Sequence, residues 1–261
     1  ASPGISSGII VNINSENSYS RSQVIDLVIG EPQIVFFDNF EDDLNNWETN
    51  GDWGLTSDAF DGLYALTDSP DGDYQNGQET FAEYVGDVDL QFVSNSFIKF
   101  NAKWDIEPNY DFVRFQAFIP DSGWISLSGQ FTETGSGQPA QPLGEPGYDG
   151  NQEDWIEEKI FLDQLGGSTV SGFRFIQTSD NYVEGDGFIV DNFQILGYPT
   201  GLVGDFNSDA DVDIFDILGL ADLLLFGSEP SQSQLFFCDF DSNGMLDIMD
   251  LLRLSNFILD L

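Results

Sequence analysis

The chain has 261 residues, and 46 acidic residues against seven basic ones give it a net charge of −39. A surface this negative repels nucleic acids and anionic membranes, so neither nucleic-acid binding nor membrane insertion is expected. The sequence has no histidine and a single cysteine, which excludes Ser-His-Asp and Cys-His catalysis, histidine-bound zinc and an internal disulfide, and we do not expect an enzyme.

Residues 1–35 are predicted to be a β-strand segment. The runs 9–13 and 24–29 are apolar and β-branched on both faces, as buried strands are. Two strands alone make no stable core, and the segment resembles the end of an incomplete immunoglobulin-like domain. Its partner could be the following domain, a lost upstream domain, a neighbouring copy that it completes as a donor strand, or its own chain. The chain begins at Ala1 rather than Met, as expected of a mature chain without its signal peptide.

Residues 36–198 are predicted to form a jelly-roll β-sandwich. Short apolar or alternating runs recur between clusters of Gly, Asp, Asn, Ser and Pro, a spacing typical of sandwiches and jelly rolls. The predicted strands are 34–37, 63–66, 80–85, 97–104, 112–119, 124–127, 155–162, 172–177 and 188–196.

Several short motifs of this region point to a known kind of domain. They are Phe-Asp-Asn-Phe-Glu at 37–41, Trp-Gly-Leu at 53–55 and Gly-Asp-Gly-Phe-Ile-Val-Asp-Asn-Phe at 185–193. In these motifs the region resembles the jelly-roll domains that accompany secreted immune-inhibitor-A-like peptidases, and related MAM-like modules. The resemblance implies a non-catalytic domain, and a calcium ion held by Glu41 and Asp191.

The segment 132–151 is long for a sandwich loop and rich in Gly, Pro and Gln. Aromatic residues on or near it could form a sugar-stacking face or belong to the core, and both readings stay open. These residues are Trp104, Tyr110, Trp124, Tyr148 and Trp155.

Two windows of twelve residues near the C-terminus carry the ligand spacing of EF-hand-type calcium loops. Oxygen-bearing side chains stand at positions 1, 3, 5, 9 and 12, and a backbone carbonyl serves at position 7. The first loop would use Asp205, Asn207, Asp209, Asp211, Asp213 and Asp216. The second, 34 residues later, would use Asp239, Asp241, Asn243, Met245, Asp247 and Asp250. Two calcium ions are therefore predicted, with the sandwich ion as a third.

Each loop runs into an apolar, helix-like segment, at 214–226 and 248–261. Glycines and a proline at 197–204 exclude a helix before the first loop, and position 12 is Asp rather than Glu. A duplicated loop–helix unit of this kind resembles a type I dockerin domain over residues 202–261, and we assign residues 199–261 to a dockerin-like module. The resemblance implies a cohesin-like protein as the partner.

The module departs from the dockerin pattern in two ways. Ala210 replaces the glycine usual at position 6, where a positive φ favours glycine, so the first loop is expected to be strained or weaker. The partner-binding positions 10 and 11 are the apolar residues Ile214, Phe215, Ile248 and Met249. Because both helices are apolar beyond one stripe, the surplus surface needs a partner, which need not be an ordinary cohesin.

From these features the sequence predicts a non-catalytic structural subunit that is secreted or on the cell surface, where calcium is abundant. It would join copies of itself through its N-terminal strands and its calcium module, and head-to-tail contacts that do not close would build filaments. The alternative is an accessory part of a secreted peptidase or polysaccharide-degrading enzyme, which docks through a cohesin or binds glycans.

Overall fold

The computed structural model describes residues 30–86, 88–227 and 229–259, together with the backbone of residues 6–14 and 20–28. The described residues divide into two compact units. One comprises 34–89 and 95–197, and the other comprises the residues up to 33, 90–94 and those from 198 onward. Within the described part of the chain, no helix has the length and apolar character needed to cross a membrane.

The two N-terminal strands pair with each other. Strand β1 (Ser6–Asn14) and strand β2 (Ser20–Val28) form an antiparallel hairpin, with Ser6 opposite Val28 and Asn14 opposite Ser20. Of the alternatives for these strands, the structure therefore shows pairing within the chain. Ile29, the last residue of the second predicted run, lies outside the described residues.

The larger unit is the predicted β-sandwich. Its strands are β3 (Gln33–Asp38), β4 (Trp47–Thr49), β5 (Gly54–Thr56), β6 (Ala65–Thr67), β7 (Glu79–Tyr84), β8 (Val93–Ile106), β9 (Phe112–Ile119), β10 (Gly123–Ser126), β11 (Glu133–Thr134), β12 (Pro146–Gly147), β13 (Gly150–Phe161), β14 (Gly172–Thr178) and β15 (Gly187–Pro199). A short 3-10 helix spans Leu162–Leu165.

Two sheets make the sandwich. One has the order β10-β9-β14-β7-β4, and the other has the order β13-β8-β15-β6-β5 with β3 paired to β15. Aromatic rings fill the space between them, because alternate residues of each strand point inward. The ring of Phe100 lies 5.3 Å from Phe175 and 5.9 Å from Phe115, which joins the two sheets.

The strands that the sequence did not predict are short. Strands β4 and β5 have three residues each, and β11 and β12 have two. Such lengths give no periodicity to recognise. The predicted run 63–66 is shifted to Ala65–Thr67, and Leu63 is exposed.

The segment 132–151 is anchored to the sandwich. Strands β11 and β12 pair within it, and Tyr148 forms a bridge with Val113. The buried amide of Gln141 donates to the carbonyl of Asp111 at 2.8 Å and to Asp149 Oδ2 at 2.7 Å.

The C-terminal unit has three helices, α1 (Ile214–Phe226), α2 (Gln232–Cys238) and α3 (Ile248–Leu259). Helices α1 and α3 are the predicted ones, and residues 260–261 of the second prediction lie outside the described residues. Helix α2 was not predicted, although Ser231 and Gln234 form a capping box at its start. Its aromatic face is covered, since the ring of Phe92 lies within 6 Å of both Phe236 and Phe237.

Candidate metal centre and docking surface

The structure brings the predicted ligands of the second loop together. Carboxylate oxygens of Asp239, Asp241 and Asp250 lie within 4.8 Å of one another. Asp250 is fully buried, and Asp241 Oδ1 is buried without a hydrogen-bond partner among the described residues. Three carboxylates this close repel one another unless a cation lies between them, and oxygen ligands are those that calcium prefers. The residues present therefore fit a calcium ion.

The first positions of the two loops make the same hydrogen bonds. Asp205 Oδ2 accepts from the N–H of Ala210 at 2.9 Å, and Asp239 Oδ2 accepts from the N–H of Gly244 at 2.8 Å. These bonds join position 1 to position 6 and so close each loop on itself. The two loops therefore share one backbone design.

The last positions attach each loop to its helix. Asp216 and Asp250 are fully buried, and their Oδ2 atoms accept from the N–H groups of Asp213 and Asp247 at 2.8 and 2.9 Å. Asp213 in turn accepts from Phe215 N–H at 2.7 Å and caps α1, as a capping box requires. The residues predicted as ligands at positions 9 and 12 thus also start the helices.

The residues at positions 5 and 7 are joined by the same hydrogen bond in both loops. Asp209 Oδ1 accepts from the N–H of Asp211 at 3.0 Å, and Asn243 Oδ1 accepts from the N–H of Met245 at 2.9 Å. Asn207 at position 3 donates through Nδ2 to Asp209 Oδ2 at 3.0 Å.

Position 6 has the same backbone conformation in both loops. Ala210 has φ of 69° and Gly244 has φ of 82°. A side chain at positive φ costs about 1 kcal/mol because Cβ crowds the backbone. The first loop is therefore the strained one, as its alanine predicts.

A small apolar core lies beneath the two loops. Its buried members are Phe206, Leu220, Cys238, Leu246 and Leu254. Burial raises the pKa of the Cys238 thiol to about 12, and the carboxylates of Asp216, Asp205 and Asp250 add to that effect. The thiol therefore stays protonated and unreactive.

The predicted partner-binding residues lie at the surface. Phe215 is 61% exposed and Ile248 is 58% exposed, and Ile214 and Met249 are exposed to similar degrees. Further along each helix, the exposed residues repeat at the same 34-residue offset, as in the pair Leu218 and Leu252 and the pair Leu225 and Leu259. The duplicated unit therefore carries two similar apolar surfaces, which we call the helix surfaces.

In the sandwich, Glu41 and Asp191 hold the loop between β5 and β6. Asp191 Oδ2 accepts from the N–H groups of Phe60 and Asp61, and Glu41 Oε1 accepts from those of Leu63 and Tyr64. Burial raises the pKa of Asp191, these backbone donors oppose the rise, and the charge of Glu41 adds to it. The two carboxylates are near enough to interact, and calcium binding by them stays a prediction.

Another carboxylate group was not predicted. Oxygens of Glu107, Asp111 and Asp180 lie within 4.8 Å of one another. Burial and the two neighbouring carboxylates raise the pKa of Glu107. Glu107 and Asp111 lie in the loop between β8 and β9, and Asp180 lies in the distant loop after β14, so the sequence carried no signal for the group.

The predicted sugar-stacking residues separate into two groups. Trp104 and Tyr148 are buried, with ring centroids 5.1 Å apart, so they belong to the core and cannot stack on a sugar. Tyr110 is exposed, and Trp124 and Trp155 are partly exposed on the outer faces of different sheets.

Comparison with known proteins identifies the C-terminal module. The family model for the dockerin type I domain matches residues 203–259. Dockerin domains bind calcium and cohesins and occur in extracellular or cell-surface proteins. No curated protein is significantly similar in sequence to the chain.

The chain has distant matches among solved domains. The CBM22-1 xylan-binding domain of Xyn10C from Paenibacillus barcinonensis is 12% identical, with a TM-score of 0.38, and the match covers 64% of this chain and 96% of that domain. The K3 cleaved adhesin domain of Lys-gingipain from Porphyromonas gingivalis is 13% identical, with a TM-score of 0.40, and the match covers 62% and 99%. Identities and scores this low do not transfer the binding properties of these domains. The resemblance to immune-inhibitor-A-like and MAM-like domains stays a prediction.

Removing calcium should unfold the C-terminal module and leave the sandwich folded, because metal binding supplies part of the module's folding free energy. All five tryptophans lie between residues 47 and 155, so tryptophan fluorescence reports the sandwich, whereas far-UV circular dichroism reports the helices. We expect a chelator to remove the helical signal without shifting the fluorescence unfolding midpoint. Asp250→Asn should weaken calcium binding roughly tenfold or more by removing ligand charge, and the exposed Asp222→Asn should have no effect. Helices that persist in chelator would contradict the assignment.

Exchanging the residues at position 6 should shift the two loops in opposite directions. Ala210→Gly relieves the positive-φ strain and should stabilise the first loop by about 1 kcal/mol. Gly244→Ala introduces the same strain and should weaken the second loop by a similar amount. Calorimetric calcium titration of both variants checks this, and equal affinities for the original chain and Ala210→Gly would show that the strain is absent.

Proposed function

We propose that this chain is a non-catalytic, exported accessory protein that docks through its C-terminal module onto a cohesin-type partner in a calcium-dependent way. The observation that carries the proposal is the pair of loops with matching hydrogen bonds, each ending in a buried aspartate that starts a helix. In that arrangement bound calcium would fix the starts of α1 and α3, and these helices carry the helix surfaces. The match of residues 203–259 to the dockerin type I domain supports this assignment.

The proposal includes two calcium ions, one in each loop. Each would be held by the side chains of positions 1, 3, 5 and 12, with position 9 close by and the carbonyl of Asp211 or Met245 at position 7. When bound, calcium supplies the positive charge that the buried carboxylates need. A third ion at Glu41 and Asp191 remains a prediction that counting of bound calcium would test.

The partner should present an apolar surface. Positions 10 and 11 carry exposed Ile214, Phe215, Ile248 and Met249, and Arg253 is the only basic residue after residue 198. Arg253 is also engaged, since its guanidinium donates to the carbonyl of Phe240 at 2.7 Å. Because the covered face of α2 is unavailable, the helix surfaces of α1 and α3 are the apolar regions left for contact.

The filament hypothesis has less support than docking. It depended on N-terminal strands without partners, whereas β1 and β2 pair along their whole length. It also treated the apolar helices as sites for self-assembly, whereas a dockerin-type module already accounts for them. We therefore favour the accessory role over a homopolymer.

Docking can be tested with a panel of immobilised type I cohesin domains. Because the duplication offers two similar helix surfaces, we expect Phe215→Ser combined with Met249→Ser to weaken binding at least roughly tenfold, as loss of central apolar anchors does. The control is Leu63→Ser combined with Leu143→Ser, two exposed apolar residues of the sandwich that lie outside the helix surfaces. Binding that survives chelator, or no binding to any cohesin, would contradict the proposal.

A second candidate function is glycan binding on the outer face of the sheet β10-β9-β14-β7-β4. Trp124 is partly exposed there, and its ring lies 5.2 Å from Phe118 and 4.2 Å from the guanidinium of Arg174. Arg174 Nε donates to Gln116 Oε1 at 2.8 Å, and Gln116 donates to Ser126 Oγ at 3.1 Å.

This face combines an aromatic ring with a row of polar side chains, as a sugar-binding site requires. Cross-strand register places Glu83, Arg174, Gln116 and Ser126 in one polar row beside the ring of Trp124. The C–H face of a sugar can pack on an aromatic ring, while its hydroxyl groups bond to such a row. Partial burial lowers the pKa of Arg174, and the charge of Glu83 opposes that shift, so the guanidinium stays charged and its donors stay available.

A glycan array with the original chain and two tryptophan variants tests this face. We expect Trp124→Ala to abolish binding, because it removes the ring beside the polar row. Trp155→Ala, on the outer face of the opposite sheet, is the matched control and should bind normally. Equal loss in both variants would argue against a site at Trp124.

A further inference from the structure

A small polar recess opens on the sandwich where the loops near residues 51 and 75 meet the end of strand β14. Its volume is about 130 Å³, which is room for roughly four water molecules at ~30 Å³ each. Exposed residues form its rim and buried residues form its floor. The lining residues are Gly51, Asp52, Asp68, Tyr74, Gln75, Gln78, Thr80 and Gln177.

Two buried polar atoms of the floor have no hydrogen-bond partner among the described residues. Asp68 is 2% exposed and its Oδ2 atom is unpaired, and Gln177 is 1% exposed and its Nε2 atom is unpaired. Buried polar atoms are almost always paired, because an unmet donor or acceptor keeps its full desolvation cost. The recess therefore presents one acceptor atom, Asp68 Oδ2, and one donor atom, Gln177 Nε2, that a ligand could bind.

Hydrogen bonds behind the floor fix which atom of Gln177 faces the recess. The indole N–H of Trp53 can only donate, and it donates to Thr80 Oγ1 at 3.1 Å. The hydroxyl proton of Thr80 is then free to be donated to Gln177 Oε1 at 3.4 Å. The amide oxygen is thus turned inward and the NH₂ group faces the recess, which disfavours a metal cation there.

Hydrogen bonds also fix the orientation of the Asp68 carboxyl group. Its Oδ1 atom accepts from the N–H of Phe188 at 3.0 Å and from the hydroxyl of Ser69 at 2.9 Å. Burial raises the pKa of Asp68 to about 7, and those two hydrogen bonds oppose the rise. Above about pH 7 the carboxyl is ionised, and Oδ2, which takes part in neither bond, is an acceptor.

Tyr74 adds an apolar wall. Its hydroxyl donates to Asp111 Oδ2 at 2.7 Å and accepts from the N–H of Glu107 at 3.1 Å, so its proton is not available to a ligand. Its ring lines the recess beside the two unpaired groups. An aromatic surface next to one donor and one acceptor is complementary to a sugar, whose C–H groups and hydroxyls alternate around the ring.

We propose that this recess binds the edge of a sugar residue, with one hydroxyl of a vicinal diol donating to Asp68 Oδ2 and the neighbouring hydroxyl accepting from Gln177 Nε2. Gln75 and Gln78 at the rim supply amides for the remaining hydroxyls. The site lies apart from the outer sheet face that carries Trp124, and it does not depend on calcium-dependent docking.

The experiment follows the side-chain NH₂ signals of Gln177 by ¹H–¹⁵N NMR of the full chain in calcium, with assignment from Gln177→Glu. The probes are methyl glucoside, methyl galactoside and methyl mannoside. A deoxy sugar with a single ring hydroxyl at the relevant edge serves as the diol-free comparison. We expect a saturable shift with at least one methyl glycoside and none with the deoxy sugar.

Asp68→Asn keeps the size of the side chain but turns the acceptor into a donor, and it should weaken binding at least tenfold. The exposed Asp73→Asn, which does not line the recess, is the matched control. If Asp68→Asn fails to fold, Gln78→Ala at the exposed rim should weaken binding several-fold without affecting folding. Trp124→Ala should bind the probes as the original chain does, which separates this site from the sheet face. A recess that holds water only, with no saturable shift from any probe, would overturn the proposal.

Discussion

The fold of the C-terminal module depends on two carboxyl groups that are buried away from solvent. Asp216 and Asp250 are fully buried, and each joins the backbone of its loop to the first turn of its helix. A buried charge without a counter-ion costs several kcal/mol, roughly, in a protein interior. The sequence after residue 198 contains one basic residue, Arg253, and it donates to a backbone carbonyl. Under the proposed function the positive charge comes from solution, and binding of a divalent cation would be linked to helix formation.

The duplication extends beyond the loops to the side chains around them. Phe206 and Phe240 follow the first ligand of each loop, and Leu220 and Leu254 are equivalent residues of α1 and α3 at the centre of the core. The exposed apolar residues follow the same offset. Because equivalent exposed residues occur on both helices, a partner can contact the same set of side chains in either of two orientations. The function proposed for the module therefore rests on the pair of units rather than on either helix.

Much of this organisation was readable from sequence, because it depends on local spacing. The predicted calcium ligands follow from a twelve-residue pattern, and strands such as β9 (Phe112–Ile119) follow from an apolar run of the right length. Contacts between distant segments were not readable. The burial of Trp104 against Tyr148, the group of Glu107 with Asp180, and the unpaired atoms of Asp68 and Gln177 all depend on which strands become neighbours. Helix α2 was missed because its seven residues make only about two turns, too few to show a helical period.

Phe92 belongs to the sequence of the sandwich but not to its compact unit. Residues 90–94 group with the C-terminal helices, where the Phe92 ring contacts Phe236 and Phe237 and its carbonyl accepts from the N–H of Thr200. A fragment that begins at residue 199 would expose two phenylalanine rings of α2 to solvent and would tend to aggregate. The C-terminal module is therefore poorly suited to transfer onto another protein by itself. A transferred module would also need residues 90–94, which carry Phe92.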